Sequence, residues 1–509
     1  MSAYFSAESI LAEFAAGDVT DMDALYADIY QRVWRTQSAD ARQLLDALRL
    51  APVNGISETL LQAYTQFGKA RLWRTIRDLV DASLLIRQSR DGTMHYHIHS
   101  LTDSFLRSRD HQQQRSPAAQ AWYGEQILAA CRYWQTQIAQ ITPATFGEQH
   151  PLLYRLVREG LKKAQSWQAA THLMLNLLFT IENTPYWQQW LDLHYVALEG
   201  ADSADPYTCY RLYSHLGIYH RLDNDVEKAL YANRTALEIA TQLNNLKLVG
   251  RQQVHLANSY CANGEFTQAL ELAQAGLEIF EALDLATPFH ATALNELAIS
   301  QFLLGNFSQA TTFFEKAAQL KYDNPSKNTT LARIYIGWGS ALRFQGNFQA
   351  AEKKYALARQ ITAKTQGYKD QIMVAFYSCH NFLDQALLDS AEKYIQDPTY
   401  AYHNLTLPVR EAGYIAFSFG RYYFKRKQME KTVIHLKATL KLWENCRQFF
   451  SMGEVYALLA QALKAMSGSQ AEADNHAQKA RIIFDTVCLG GWLTIAQQQY
   501  PFLYADTKQ

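Results

Sequence analysis

Small residues recur at a fixed spacing among the larger apolar positions in the second half of the chain. One column repeats every 40 or 41 positions, and a second column runs in step with it about 12 positions earlier. Because small side chains let two helices approach closely, two columns per period predict stacked hairpins of two helices each. The later column comprises Ala229, Ala269, Ala310, Ala351, Ala391, Thr432 and Ala471, and the earlier one Gly217, Ala257, Ala298, Gly339, Cys379, Gly420 and Ala460.

A turn residue falls between the two columns. Gly264, Gly305 and Gly346 each begin a Gly-Glu-Phe or Gly-Asn-Phe sequence. Glycine tolerates the positive φ that closes a helix, so these positions predict where the first helix of each hairpin ends. Lys427 stands at the corresponding position of a later copy, and the pattern therefore weakens towards the C-terminal end.

The first two hundred residues follow other patterns. Residues 118–200 keep a helical periodicity without a clean small-residue column, which predicts divergent hairpins. Before residue 110, a group of helices precedes two short strands, residues 84–87 and 94–98, that flank Asp91-Gly92. A helical cluster that ends in a hairpin is the plan of a winged helix. The helices are predicted at about 23–35, 39–50, 57–66 and 70–82.

The best copy of the repeat contains Trp338-Gly339, the turn at Gly346, then Ala351, Tyr355 and Ala358. This arrangement resembles the tetratricopeptide repeat, as do the three preceding copies. A period of about 41 residues exceeds the roughly 34 of ordinary units, and such long units resemble those of bacterial peptide-sensing regulators and maltose-type transcription activators. The resemblance implies a mostly α protein whose C-terminal part is a right-handed α-solenoid.

The N-terminal sequence resembles the winged helix of bacterial NB-ARC proteins, which belong to the STAND class of signalling ATPases. The resemblance rests on Leu25-Tyr26, Ile29-Tyr30, Trp34, residues 79–85 and Ile98-His99-Ser100-Leu101-Thr102. It implies that His99 corresponds to the histidine of a Met-His-Asp motif that contacts a nucleotide phosphate, with Ser100 in place of the aspartate. His99 is thus expected to be a vestigial or in-trans nucleotide sensor.

The phosphate-binding loop of an ATPase is missing from the sequence. Nowhere does G-x-x-x-x-G-K-[ST] occur, and Gly68-Lys69-Ala70 lacks both the first glycine and the Ser/Thr. We therefore expect that this chain alone binds no cofactor and does not hydrolyse ATP, and that an ATPase core resides on another chain or was lost by truncation. A nucleophile elbow and an HExxH motif are also missing, so the sequence predicts no enzyme.

Composition narrows the class of protein further. Lysine plus arginine equals aspartate plus glutamate at 48 each. The chain therefore lacks the overall excess of positive charge expected of a general binder of nucleic acid or anionic membrane. The six cysteines are far apart and form no CxxC pair, which predicts free thiols in a reducing compartment. Neither a leader nor an apolar run of roughly 18 residues is found, and the expected location is the cytoplasm.

Two candidate sites in the N-terminal region have alternative interpretations. Arg71, Arg74 and Arg77 recur on the helix before the hairpin, where a winged helix would face DNA. Acidic residues on the same helix favour a packed or solvated surface instead. His95, His97 and His99 alternate along a strand, but without a cysteine or carboxylate cluster we interpret them as part of a solvated strand and predict no metal site.

The repeat register identifies the side chains that should line the concave surface of the solenoid. They lie three and six positions before, and one and four after, the earlier small column. Six of them are arginines and none is acidic, which indicates a ligand with carboxylate or phosphate groups, unless the arginines merely solubilise this face. Asn258 and Asn295 could bind a peptide backbone, and Phe302 and Phe417 could form apolar pockets. The arginines are Arg211, Arg221, Arg251, Arg333, Arg343 and Arg421.

Together these patterns predict a non-enzymatic regulatory, sensor or scaffold protein in a STAND-like signalling system. Residues 1–115 would form the winged helix, 116–205 the divergent hairpins and 206–509 the repeat superhelix. The partner would be a protein or peptide with acidic groups, held in the concave groove, and an ATPase module on another chain is a further expected partner. The alternative is a DNA-binding transcription regulator whose repeats sense a peptide.

Overall fold

A computed structural model of the protein describes the following residues: 31, 33–51, 55–90, 92–98, 102, 103, 106, 117–201, 205–283, 288–320, 322, 328–365, 367–396, 407, 409–444, 449–466 and 470–508. Within these ranges the chain forms two compact units. The first contains the described residues up to 178 together with 195–201, and the second contains residues 179–194 together with those from 205 onwards.

The first unit begins with helices and a small antiparallel sheet. β1 pairs with β3 and β3 with β2, so the sheet order is β1-β3-β2. Ser38 and Ser57 cap α1 and α2 by accepting hydrogen bonds from the first-turn backbone. The predicted hairpin is confirmed, and the structure adds β1; the helix predicted at 23–35 lies largely outside the described residues. The elements are α1 (Ala39–Leu48), β1 (Ile56–Ser57), α2 (Glu58–Thr65), α3 (Lys69–Asp81), β2 (Leu85–Arg90) and β3 (Thr93–Ile98).

Further helices follow without a regular repeat. Thr142 and Thr145 form a reciprocal capping box at the start of α5, with Pro143 in its first turn. The helical character predicted for residues 118–200 is confirmed. The helices are α4 (Pro117–Gln137), α5 (Pro143–Leu161), α6 (Ala164–Asn176), α7 (Leu178–Glu182) and α8 (Trp187–Glu199).

Seven consecutive pairs of helices make up most of the second unit in the described part of the chain, as the 41-residue period predicts. Asp205, Asn245 and Asn328 cap first helices with their side-chain oxygens. The pairs are α9 (Pro206–Leu222) with α10 (Val226–Gln242), α11 (Leu246–Asn263) with α12 (Phe266–Ala282), α13 (Pro288–Leu303) with α14 (Phe307–Gln319), α15 (Thr329–Phe344) with α16 (Phe348–Thr365), α17 (Tyr368–Asp384) with α18 (Leu388–Ile395), α19 (Val409–Lys425) with α20 (Met429–Trp443), and α21 (Phe449–Ala465) with α22 (Gln470–Thr486).

The small-residue columns lie where the paired helices touch. A Cβ atom added to Gly339 would lie 2.5 Å from Cε1 of the fully buried Tyr355. The second-helix column is buried from Ala229 to Thr432. Its predicted last member is wrong, because Ala471 is exposed and Ala473 is buried in its place. The columns therefore mark close helix contact in all but the final pair.

The predicted turn glycines adopt left-handed backbone conformations. Gly264, Gly305 and Gly346 have φ values of 86°, 80° and 79°. Lys427, which replaces the glycine in a later copy, also has a positive φ of 58°. The turn is thus kept even where its preferred residue is lost.

The second unit ends with helix α23 (Gly491–Gln499) and a 3-10 segment (Pro501–Lys508). Trp492, Ala496, Tyr500 and Leu503 belong to the same apolar cluster as Phe307. The C-terminal elements are therefore packed into the core of the repeat array. The cysteines of the described residues form no disulfide.

Candidate ligand-binding cavity

A cavity of about 410 Å³ lies in the second unit. The first helices of successive hairpins supply most of its wall, which follows from the register because these helices present one face to the same side. Six of the ten predicted ligand-binding residues line it: Arg221, Asn258, Asn295, Phe302, Arg333 and Arg343.

A buried carboxylate stands at the polar end of the cavity. Asn258 Nδ2 donates to Glu296 Oε2 at 2.9 Å, and Asn295 Nδ2 donates to Glu296 Oε1 at 3.2 Å. Burial raises the pKa of Glu296 above its ordinary value, although Arg221 and the two amides act in the opposite direction. Asn295 Oδ1 is itself buried without a hydrogen-bond partner. The two asparagines thus fix an oriented polar group in the wall.

Arg221 is the cavity cation that the protein leaves unpaired. Within the described residues, neither a hydrogen bond nor a carboxylate within 4 Å engages its guanidinium, although Glu182 and Glu296 lie near enough to raise its pKa. Burial and the charge of Arg410 outweigh them and lower the pKa of Arg221 to about 10. Its N–H donors therefore face the cavity and are available to an anion.

Two other cations near Arg221 are already engaged. Arg333 Nε donates to Asp370 Oδ1 at 2.9 Å, while Asp370 Oδ2 is buried without a partner. Lys369 Nζ donates to the backbone oxygen of Glu182 at 2.7 Å. Burial lowers the pKa of Lys369 to about 8, so a fraction of these side chains is uncharged near neutral pH.

Arg343 and Arg421 converge on one carboxylate. Arg343 Nε and Arg421 Nη2 each donate to Asp384 at 2.6 Å, and Arg421 Nη1 lies 2.9 Å from Nδ1 of the buried His380. Burial alone would raise the pKa of Asp384, but the two guanidinium groups lower it to about 2. Arg421 lines a second cavity of about 380 Å³ that also touches Arg343.

The opposite end of the main cavity is aromatic. The ring of Trp492 lies 4.3 Å from that of Phe450, 4.5 Å from Phe344 and 5.0 Å from Phe302, measured between centroids. A ligand in the cavity would therefore meet flat apolar surfaces as well as charged groups.

Four predicted residues lie outside this cavity, namely Arg421, which lines the second one, and three others. Phe417 is fully buried in the core, with its ring 5.6 Å from that of Trp443. The guanidinium of Arg251 lies 5.3 Å from the ring of Phe289. Arg211 is partly buried, and burial lowers its pKa. The structure does not bring these residues into the cavity wall.

Sequence reasoning missed the acidic part of the site. The register contained no acidic residue, yet Glu182, Glu296, Asp370 and Glu454 line the cavity and Asp384 pairs with Arg343. A purely basic surface is therefore wrong: carboxylates neutralise Arg333, Arg343 and Arg421, and Arg221 remains available. The register found the arginines without showing which of them already have partners.

In the first unit, the arginines of α3 are mostly engaged within the protein. Arg71 donates to both oxygens of Asp40, at 2.8 and 2.6 Å, and its guanidinium lies 4.0 Å from the ring of Phe67. Arg74 Nε donates to the oxygen of Ala70, and Arg77 pairs with the adjacent Asp78 at 3.2 Å. His99 lies outside the described residues. Within those ranges, His, Cys, Asp and Glu side chains form no group of three that could hold a metal ion.

Comparison with known proteins identifies the repeat. Residues 251–323 match the tetratricopeptide repeat. This stretch covers α12, α13 and α14 together with most of α11, so the match falls on the wall that carries Asn258, Asn295 and Glu296. No curated protein matches the chain in sequence.

Solved structures resemble the chain at low sequence identity. The chain is similar to a Signal Transduction ATPase with Numerous Domains (STAND) protein with a tetratricopeptide repeat sensor from Pyrococcus horikoshii, with 14% identity and a TM-score of 0.53 over 96% of this chain and 68% of that one. A Rap protein complexed with competence and sporulation factor matches at 13% identity and a TM-score of 0.49, over 71% of this chain and 99% of that one. The quorum sensor NprR from B. thuringiensis matches at 14% and 0.46, over 69% and 97%.

None of the helices in the described ranges is both long enough and apolar enough to cross a membrane.

Proposed function

We propose that this chain is a cytoplasmic, non-enzymatic regulatory or scaffold protein that binds a protein or peptide partner in the main cavity of its repeats. The observation that carries the proposal is Arg221, a cation in the cavity wall that has no hydrogen bond and no carboxylate within 4 Å among the described residues. Arg221 is only half-buried, but a partly desolvated charge without a counter-ion is still costly, so a partner's anionic group is the natural complement.

The chemistry of the wall indicates which kind of partner fits. A carboxylate on the partner would bind Arg221 through a charge-assisted hydrogen bond. Asn295 Oδ1 and Asp370 Oδ2, both without partners, would accept N–H donors from an extended backbone. Apolar side chains would pack against Phe344, Phe450 and Trp492. An acidic peptide segment with aromatic or aliphatic residues combines all three features.

We place this binding activity in a STAND-like signalling system. The fold likeness to the STAND protein from Pyrococcus horikoshii extends over 96% of this chain, which supports that assignment. Residues 1–115 would act as a winged helix of the NB-ARC kind, relaying partner capture to an ATPase core on another chain, with His99 as its nucleotide sensor. Binding of DNA by α3 is less well supported, because Asp40 already holds Arg71.

The test compares Arg221→Gln with wild type. Peptides captured from a native extract by the wild type are sequenced, synthesised and measured by calorimetry, each with its acidic groups intact and as the corresponding amides. We expect Arg221→Gln to weaken binding of the acidic form at least about tenfold, and to remove the preference for acid over amide.

Arg481→Gln is the matched control, because Arg481 is an exposed arginine paired with Asp485. It should bind like wild type. Arg333 and Arg343 are poorer choices for this test, since substitution of Arg333 would leave Asp370 without its cation and substitution of Arg343 would remove one of the two cations that hold Asp384. Equal affinities of Arg221→Gln and wild type for the acidic peptides would contradict the proposed site.

A further inference from the structure

The end of the chain is joined to the third hairpin by a short contact. Gly491 N donates to Gly305 O at 3.2 Å, and Trp492 Nε1 donates to Phe302 O at 2.7 Å. Phe302 and Trp492 are 190 residues apart in the sequence. Repeats normally touch only their neighbours, so this contact is an addition to the stacking that builds the array.

The contact requires glycine on both sides. A Cβ atom on Gly305 would lie 2.4 Å from Leu489 O, and one on Gly491 would lie 2.6 Å from Gly305 O. Gly490 has a φ of 54°, which bends the segment into this approach. Gly346 occupies the same turn position one hairpin later, with a φ of 79°, but a Cβ atom there would meet nothing within 4 Å. Gly305 therefore serves both its own turn and the contact.

This segment also forms part of the cavity wall. Trp492 and Cys488 line the cavity, and Trp492 fills the space between Phe302, Phe344 and Phe450. Farther along, Tyr500 is anchored by the hydrogen bond from its hydroxyl to Glu454. Two hydrogen bonds and one tryptophan thus hold residues 489–492, whereas each hairpin is held by two long helix interfaces. From this difference in contacts we expect local opening here to need less free energy than opening of a whole hairpin.

We propose that residues 489–492 form a clasp that closes the aromatic end of the cavity, and that opening of this clasp controls access to that end. The regulatory role of the clasp rests on the proposed function, because the partner's apolar side chains would enter at the aromatic end of the cavity. The clasp itself can be tested without any partner. Cys488 reports on it directly, since its thiol lies in the wall immediately before the clasp.

The test measures how fast N-ethylmaleimide modifies individual thiols, by mass spectrometry of the digested protein. Cys379 is the internal reference, because it is fully buried and does not line the cavity. Burial raises the pKa of both Cys379 and Cys488 to about 12, so a difference in their rates reflects access to the thiol. Gly305→Ala should accelerate modification of Cys488 about fivefold or more, while Cys379 keeps its wild-type rate.

Gly346→Ala is the matched control, because it places the same strain in an equivalent turn that has no clasp contact. It should leave both thiols at their wild-type rates. Trp492→Phe, which loses the hydrogen bond to Phe302 and part of the ring volume, is the second test should Gly305→Ala fail to fold, and it should likewise accelerate modification of Cys488. An unchanged Cys488 rate, or a joint rise at Cys488 and Cys379, would overturn the proposal while leaving the proposed peptide binding to its own test.

Discussion

At the scale of single residues, Asp384 shows how charge is distributed inside the repeats. It accepts hydrogen bonds from Arg343 and Arg421, and all three side chains are largely buried. Removing one member of a buried ion pair leaves an uncompensated charge and destabilises a protein by about 3–5 kcal/mol. We expect Asp384→Asn to lower the free energy of unfolding at pH 7 by about 3 kcal/mol in guanidinium titrations.

The same carboxylate gives this stabilisation a definite pH dependence. The pKa of Asp384 is about 2 in the folded protein, below its ordinary value of 3.8. Its contribution is therefore complete above pH 4 and is lost as the pH falls towards 2. Asp485→Asn removes an exposed partner of Arg481 and should change the stability at pH 7 by less than about 1 kcal/mol. Equal losses in the two variants would argue against a special role for Asp384.

The arginines could be predicted from the sequence, but their partners could not. Three of the acidic residues lie just beside the predicted face: Glu296 stands two positions before its small-column residue, Asp384 five after and Asp370 nine before. Successive offsets differ by seven residues, or about two helical turns, so the three acidic residues lie on one stripe of the first helices. That stripe was visible in principle. Which arginine has no partner depends on distances between helices of different hairpins, and the pattern of a single helix does not contain them.

At the scale of elements, close approach of paired helices decides stability. Gly339 lies against Tyr355, whose hydroxyl donates to Ser340 and whose ring is fully buried. Gly339→Ala would improve the helix propensity of α15 by about 1 kcal/mol but would force this ring to move. We expect a net loss of about 1–2 kcal/mol in chemical unfolding.

Gly68→Ala is the comparison for this substitution, because a Cβ atom there would meet nothing within 4 Å. Its effect should stay within about 0.5 kcal/mol of wild type. If Gly339→Ala were as stable as Gly68→Ala, the close contact between α15 and α16 would not explain the need for glycine at position 339.

The hairpins and most turns could be predicted because glycine and alanine mark them in the sequence. Lys427 and Ala386 take up the same left-handed turn without that mark, with φ of 58° each. Packing of the flanking helices therefore outweighs the local preference of these residues. β1 was missed for another reason: it has two residues, too few for an alternating pattern to be recognised.

At the scale of the whole molecule, the clasp links stretches of chain that stacking alone would leave independent. Trp492→Ala should destabilise the protein by about 3–5 kcal/mol, because it empties the space between four aromatic rings. Hydrogen exchange should then rise in α13 and α14 as well as in α23. Trp73→Ala, at a tryptophan that is 57% exposed, should leave exchange in these helices unchanged. Faster exchange confined to α23 would contradict the link.

The shared carboxylate of Asp384 has a consequence for how such an array can evolve. Arrays of repeats commonly lengthen and shorten by copying or deleting whole units. Here the fourth, fifth and sixth hairpins are tied by one carboxylate between two guanidinium groups, and a unit gained or lost among them would leave a buried charge without its counterpart. The order of these three hairpins is therefore fixed, and their number can change only if the charged residues that join them change as well.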